Sequence, residues 1–132
     1  MPLGTLVLLR RTRDHMDRHY AEPLDVATLA GHALMSTAHF SRQFKAAYGE
    51  TPHAYLMTRR IERSMALLRA GVGVGVTEAC MAVGCTSLGS FSASFTRLVG
   101  ETPSSYRGRR HEDVEVLPSC ISRILGRPMP RR

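Results

Sequence analysis

Residues 36–60 are repeated almost in register at residues 87–111, and this duplication constrains the fold more than any other feature of the chain. Two copies are too few for a solenoid, because a stable stack of repeats needs at least three. A tandem pair of small units instead indicates one recognition element that is used twice. With an offset of 51, ten positions carry the same residue in both copies: Ser36/Ser87, Phe40/Phe91, Ser41/Ser92, Phe44/Phe95, Gly49/Gly100, Glu50/Glu101, Thr51/Thr102, Pro52/Pro103, Tyr55/Tyr106 and Arg59/Arg110.

The composition favours a polyanion as the partner. Eighteen basic residues stand against eleven acidic ones, which gives a formal net charge of +7. With 132 residues and 43% hydrophobic content, the chain can form one ordinary domain or two very small ones that share a core. Nucleic acid is therefore the first partner to test.

The sequence lacks the patterns of an enzyme, a cofactor site or a metal site. Cys80, Cys85 and Cys120 have no metal-ligand spacing and are odd in number, so we expect reduced thiols and a cytoplasmic protein. His15 and His19 are four residues apart and could share a metal, but their charged neighbours indicate a solvated helix face instead. The N-terminal apolar run precedes its charges, unlike a signal peptide, and no stretch has the roughly 20 apolar residues of a membrane span.

Capping residues and hydrophobic periodicity predict an all-α fold of about seven helices. Asp25, Ser36 and Thr51 are candidate N-caps, and Gly49 is a candidate C-terminal stop. Residues 71–75 alternate Gly and Val and are interpreted as a linker. The predicted helices span residues 6–20, 26–33, 37–48, 52–70, 76–83, 87–99 and 103–107.

The order of these helices predicts two helix-turn-helix units. In such a unit a short helix and a tight turn precede a longer helix, which enters the DNA major groove. The arrangement occurs at residues 26–48 and again at 76–99, with the helix at 52–70 joining the two. We therefore expect a DNA-binding domain over residues 6–110, followed by a C-terminal tail at 111–132.

Each of the two longer helices is expected to bury an aromatic stripe. Phe40 and Phe44 in the first copy, and Phe91 and Phe95 in the second, are spaced i, i+4, as is typical of a core-facing stripe. The opposite faces are then free to contact DNA. These faces comprise Ala38, His39, Ser41, Arg42, Lys45 and Ala46 in the first copy, and Gly89, Ser90, Ser92, Ala93, Thr96 and Arg97 in the second.

The two outward faces are chemically unequal. Arg42 suits the bidentate contact to a guanine edge, and Lys45 can reach a base or a phosphate. The second face offers mainly hydroxyls and small groups, which suit phosphate positioning better than base discrimination.

Four segments of the chain match a known pattern: VATLA (26–30), MSTAHFSRQFKAAYGETPHAYLMTRRIERSMALL (35–68), VTEACMAVG (76–84) and SLGSFSASFTRLVGETPSSYR (87–107). Through them, the chain resembles the AraC/XylS family of bacterial transcription regulators over about residues 8–110. The resemblance implies seven helices, two helix-turn-helix subdomains joined by a central helix, and binding to promoter DNA.

The resemblance also assigns contact positions. It implies that Ala38, Ser41, Arg42 and Lys45 of the first recognition helix lie at the major groove. Helix N-termini are expected to meet phosphates at the four capping residues Ser36, Thr51, Ser87 and Thr102. For the second recognition helix, the resemblance implies that the residues at the major groove are Leu88, Gly89, Ser90, Ser92 and Ala93.

Several positions depart from the family pattern. Leu34 occupies a turn position where the family usually has Gly, and a positive φ there would cost about 1 kcal/mol. Ala79 and Cys85 are smaller than usual, and Gly75 replaces the helix cap that Asp25 supplies in the first copy. These changes indicate a second copy that is less tightly packed and less suited to reading bases.

The chain has no room for the effector-binding domain of most family members. We therefore expect a small stand-alone member, which the Met at position 1 favours, or a fragment or remnant. The main prediction is a monomer that binds double-stranded promoter DNA, with RNA polymerase as a further partner and without a cofactor or membrane. The alternative is a protein-interaction module that binds RNA polymerase or another regulator and has weak or non-specific DNA binding.

Overall fold

The computed structural model describes residues 1–70 and 73–109, and this part of the chain is all-helical. It contains seven α-helices and no strand, which confirms the predicted fold class. The predicted tail, residues 111–132, lies outside the described residues. The helices are α1 (Leu3–Arg18), α2 (Val26–His32), α3 (Thr37–Tyr48), α4 (Pro52–Ala70), α5 (Val76–Ala82), α6 (Leu88–Val99) and α7 (Pro103–Gly108).

The helix ends follow from local side-chain and glycine chemistry. Ser36 and Ser87 each accept a hydrogen bond at Oγ from a backbone N–H three residues on, at 3.2 Å, and so begin α3 and α6. Gly49 and Gly100 end the same helices with φ of 83° and 93°. Glycine suits this left-handed conformation because it has no Cβ to clash with the backbone.

The α1 helix is displaced from its predicted range of 6–20. It begins at Leu3, because Pro2 precedes the helix in an extended conformation and its carbonyl accepts from the N–H of Leu6 at 3.1 Å. It ends at Arg18, since His19 has already left helical geometry with φ −119°. Pro2 has no side chain that can cap the helix, so this helix start lacks the local capping signal that marks α3 and α6.

The chain divides into two compact units, Met1–Arg59 and Arg60–Arg132, hereafter unit 1 and unit 2. The core of unit 1 is built around Phe40 and Phe44, whose ring centroids are 5.6 Å apart. Tyr55 meets Phe44 edge-on, at 5.6 Å between centroids, and its Oη donates to Asp17 Oδ1 at 2.7 Å. The buried cluster consists of Leu9, Met16, Leu29, Ala30, Ala33, Phe40, Phe44, Tyr55 and Leu56.

Unit 2 repeats this aromatic arrangement with different polar contacts. Phe91 and Phe95 have centroids 5.9 Å apart, and Tyr106 meets Phe95 edge-on at 5.6 Å. Here the tyrosine oxygen accepts a hydrogen bond from Arg69 Nη1 at 2.8 Å, whereas the tyrosine of unit 1 donates to a carboxylate. The other buried hydrophobic residues are Ile61, Met65, Leu68, Ala79, Cys80, Val83, Cys85 and Val99.

The two helix-turn-helix turns are closed in the same way by different residues. The N–H of Leu34 donates to Gly31 O at 3.0 Å, and the N–H of Gly84 donates to Met81 O at 3.0 Å. Both turn residues have positive φ, 59° for Leu34 and 91° for Gly84. Leu34 is the one non-glycine residue with positive φ in the described part of the chain, so the departure noted in the sequence places a leucine in a strained conformation.

The missing cap at the start of α5 is partly replaced. Gly75 has no side chain to bond the helix, but its own N–H donates to Glu78 Oε1 at 2.8 Å. This contact is one half of a capping box and satisfies a donor that the helix itself cannot. None of the described helices has the length and apolar character needed to cross a membrane.

Candidate DNA-binding surface

The outward face of α3 combines exposed small and basic side chains. Ala38, His39, Arg42 and Lys45 are exposed, and Ser41 is half-buried. The opposite side of the helix carries the fully buried Phe40 and Phe44. Because the aromatic stripe fixes the rotation of α3 within unit 1, the exposed face is set by packing and not by the basic residues themselves.

The charges on this face have no partner within the described residues. Neither the Arg42 nor the Lys45 side chain forms a hydrogen bond or ion pair there, and α3 contains no acidic residue. A guanidinium and an ammonium one turn apart on a helix without carboxylates are available to a polyanion.

The outward face of α6 is less charged. Leu88, Gly89, Ser90, Thr96 and Arg97 are exposed, while Ser92 is half-buried. Thr96 Oγ1 donates back to the Ser92 carbonyl at 2.8 Å, so this hydroxyl is already engaged as a donor. The single basic side chain of α6 is Arg97, in the last turn.

The capping residues of both units have a defined hydrogen-bonding role. Thr51 Oγ1 accepts from Ala54 N at 3.1 Å, and Thr102 Oγ1 accepts from Ser105 N at 3.1 Å, as the two serine caps do for α3 and α6. All four side chains are exposed. Since each hydroxyl oxygen is used as an acceptor, its proton remains available to donate to a phosphate oxygen.

The exposure of two apolar side chains was not predicted from the sequence. Leu34, in the first turn, is 80% exposed, and Met81, on α5, is 62% exposed. Leu88, at the start of α6, was assigned to DNA contact and is 45% exposed. Periodicity does not predict the exposure of Leu34 or Met81, because it depends on which side of each turn faces the core.

These units define the class of the protein. Each has a short helix, a tight turn and a capped helix whose outer face is open, which is the geometry of a DNA-binding helix-turn-helix. A family model described as a helix-turn-helix domain matches residues 29–109. The chain belongs to the AraC-type helix-turn-helix family of DNA-binding transcriptional regulators.

Relatives and solved structures agree with this membership. The MmsAB operon regulatory protein of Pseudomonas aeruginosa is 32% identical over 95 residues, which is 72% of this chain and 31% of that protein. The DNA-binding domain of AdpA, solved with a target DNA, is 31% identical with a TM-score of 0.70, over 76% of this chain and 89% of that one. An AraC-type DNA-binding protein from Chromobacterium violaceum has the same fold, with a TM-score of 0.71 at 24% identity, over 85% and 99% of the two chains.

The family membership confirms the prediction of a transcriptional regulator and not an enzyme. The aligned part of this chain spans about a third of the length of the MmsAB regulator. The individual DNA-contact residues on α3 and α6 remain predictions.

Proposed function

We propose that this protein binds specific promoter sequences by inserting α3 and α6 into two adjacent segments of the major groove. The observation that carries the proposal is the open basic face of α3, where Arg42 and Lys45 have no partner within the described residues. The similarity to the AdpA domain, which was solved on its target DNA, supports the same mode of binding here.

In this proposal α3 supplies most of the sequence preference. Arg42 makes a bidentate contact to O6 and N7 of a guanine, and Lys45 contacts a base or phosphate one turn further along the helix. His39 and Ser41 flank these contacts, and Ala38 allows close approach to the groove.

In the same proposal α6 mainly fixes the position of the protein on DNA. Ser90 and Ser92 donate to phosphates, Gly89 permits close approach, and Leu88 contacts a thymine methyl group. Arg97 adds a phosphate contact. Thr96 is less suited to donate, because its proton already bonds the helix backbone.

We further propose that the protein acts as a monomer on bacterial promoter DNA in the cytoplasm. Successive major-groove segments on one side of a duplex are about 34–36 Å apart, and a protein with two recognition helices can occupy one segment with each. A monomer would then need no palindromic site. The footprint should therefore be an asymmetric sequence covering two helical turns.

Selection of bound duplexes from a random-sequence pool tests this proposal. The wild-type chain should enrich one asymmetric motif, and Arg42→Ala should lose about 1–3 kcal/mol on that motif and lose preference at one base pair. Arg10→Ala is the matched control, because Arg10 is an exposed arginine on α1, outside both recognition helices. If Arg42→Ala loses the same binding free energy on the motif and on random DNA, Arg42 contacts a phosphate and not a base.

The second candidate function is an interaction module that binds RNA polymerase or another regulator. It is favoured by the outer face of α6, whose one basic side chain lies in the last turn. If no motif is enriched and the remaining DNA binding disappears with added salt, the interaction module becomes the better description.

A further inference from the structure

An open groove of about 400 Å³ lies on unit 1, and the proposed DNA contacts do not use it. Its volume is within the usual range for small-molecule sites. One side is a single face of α1, and the other is the C-terminal end of α2. The lining residues are Arg11, Thr12, Asp14, His15 and Arg18 from α1, and His32 from α2.

The charged side chains in the groove have no partners within the structure described. The side chains of Arg11, Asp14 and Arg18 form neither a hydrogen bond nor an ion pair with any described residue. Thr12, by contrast, is buried, and its hydroxyl donates to Leu8 O at 3.0 Å. The groove therefore presents two guanidinium groups and one carboxylate to a ligand, whereas the hydroxyl of the buried Thr12 is already engaged.

Three imidazole rings stand in a row beside these charges. The ring of His15 lies between those of His19 and His32, with centroid distances of 4.5 Å and 4.3 Å. The rings are tilted by about 30°, and the described residues contain no group of three side chains that could hold a metal ion. His19 is also tied to Glu22, with 2.6 Å between Nδ1 and Oε2. His15 and His32 therefore lie side by side in the groove, where their ring nitrogens can contact a ligand.

The groove carries two kinds of polar group. The rings of His15 and His32 meet there with centroids 4.3 Å apart, and Arg18 follows His15 by three residues on α1. Asp14 precedes Arg18 by four residues on the same face of α1. The arginines and imidazoles offer donors, including planar guanidinium forks, whereas Asp14 offers acceptor oxygens.

We propose that this groove binds a small phosphate-bearing molecule that also carries hydroxyl groups, such as a sugar phosphate. Arg18, His15 and His32 hold the phosphate, because guanidinium and imidazole N–H groups form charge-assisted bonds to its oxygens. Asp14 accepts from a hydroxyl of the ligand, and Arg11 binds a further oxygen. The carboxylate disfavours a bare anion, so the groove selects a ligand with donors as well as charge. This inference does not depend on which DNA contacts α3 and α6 make.

Titration calorimetry with the full chain and three probes tests the proposal. Ribose 5-phosphate should bind with one-to-one stoichiometry and more tightly than inorganic phosphate, while ribose should show no measurable binding. Arg18→Gln should weaken ribose 5-phosphate binding about tenfold or more, because it removes a charged hydrogen-bonding partner. Arg10→Gln is the charge-matched control on the same helix and should leave the affinity within about twofold.

Asp14→Asn distinguishes the proposed site from a general anion-binding surface. It should weaken ribose 5-phosphate but not inorganic phosphate. If phosphate and ribose 5-phosphate bind equally and Asp14→Asn alters neither, the selective site does not exist. Unfolding curves for each variant must match the wild type, so that lost binding is not lost folding.

Duplex DNA provides the last comparison, because its phosphates offer the same chemistry. If random-sequence duplex displaces ribose 5-phosphate, and Arg18→Gln weakens DNA binding as much as Arg42→Ala does, the groove is part of the DNA interface. That result would overturn the proposal. Binding of ribose 5-phosphate that persists when the protein is saturated with duplex supports it.

Discussion

Leu34 should destabilise unit 1, and its replacement by glycine should raise the free energy of unfolding by about 0.5–1 kcal/mol. Its φ of 59° is left-handed, which costs a non-glycine residue roughly 1–2 kcal/mol. Relief of this strain by glycine is offset by about 0.5–1 kcal/mol, because glycine has greater backbone freedom in the unfolded chain. The side chain is 80% exposed, so little buried apolar surface is lost with it.

Thermal unfolding and hydrogen exchange together measure this effect. Leu34→Gly should raise the Tm by roughly 2–8 °C if unit 1 limits the stability of the chain. If unit 2 unfolds first, amide exchange in α2 and α3 should still slow by roughly two- to fivefold, because that exchange reports local opening.

Two variants separate backbone strain from other causes. Leu34→Ala removes most of the exposed side chain but keeps a Cβ, so it should change stability little. Gly84→Ala imposes a Cβ on the equivalent turn, where φ is 91°, and should destabilise unit 2 by about 1 kcal/mol or more. If Leu34→Ala stabilises as much as Leu34→Gly, the strain argument is wrong and exposure of the side chain is the cause.

Two other predictions concern unit 1. Tyr55→Phe should lower the free energy of unfolding by about 1.5–3 kcal/mol, because it removes a hydrogen bond to the Asp17 carboxylate; an unchanged Tm would show that water replaces the hydroxyl. Burial and the nearby His32 and His19 lower the pKa of His15 from 6.5. The contribution of neutral His15 to the free energy of unfolding is therefore fully present above pH 6.5 and is lost as the pH falls below that value. Between about pH 8 and about pH 5, the Tm of the His15→Gln variant should therefore fall less than that of the wild type. An equal fall in both would show that His15 is not the cause of the pH dependence.

Local chemistry explains why much of the fold could be predicted. Ser36, Ser87 and Thr51 act through backbone groups three residues away, so their roles can be identified from the sequence alone. Gly49 and Gly100 likewise end their helices through a local property, the positive φ of the glycine itself. The helices that these residues bound, α3 and α6, therefore end at the predicted residues, whereas the uncapped α1 is displaced.

Contacts between distant residues could not be predicted in this way. His15 and His19 attracted notice as neighbours on one helix, but His32 joins them only because α2 packs beside α1. The polar partners of the two core tyrosines also differ between the units. Tyr55 bonds Asp17, 38 positions away, and no local pattern indicates such a pairing. The groove on unit 1 follows from this long-range packing.

The duplication itself separates what folding requires from what recognition requires. Most of the matched positions supply caps, left-handed glycines or core aromatic rings, and these constraints act equally on both units. Outward positions contribute little to packing, so they can differ without disturbing the unit. A face with two basic groups in unit 1 and one with small or hydroxyl groups in unit 2 is the arrangement expected if, as proposed, α3 reads bases while α6 anchors the backbone. Of the six equivalent outward positions, Ser41/Ser92 is the same in both units, and the other five differ: Ala38/Gly89, His39/Ser90, Arg42/Ala93, Lys45/Thr96 and Ala46/Arg97.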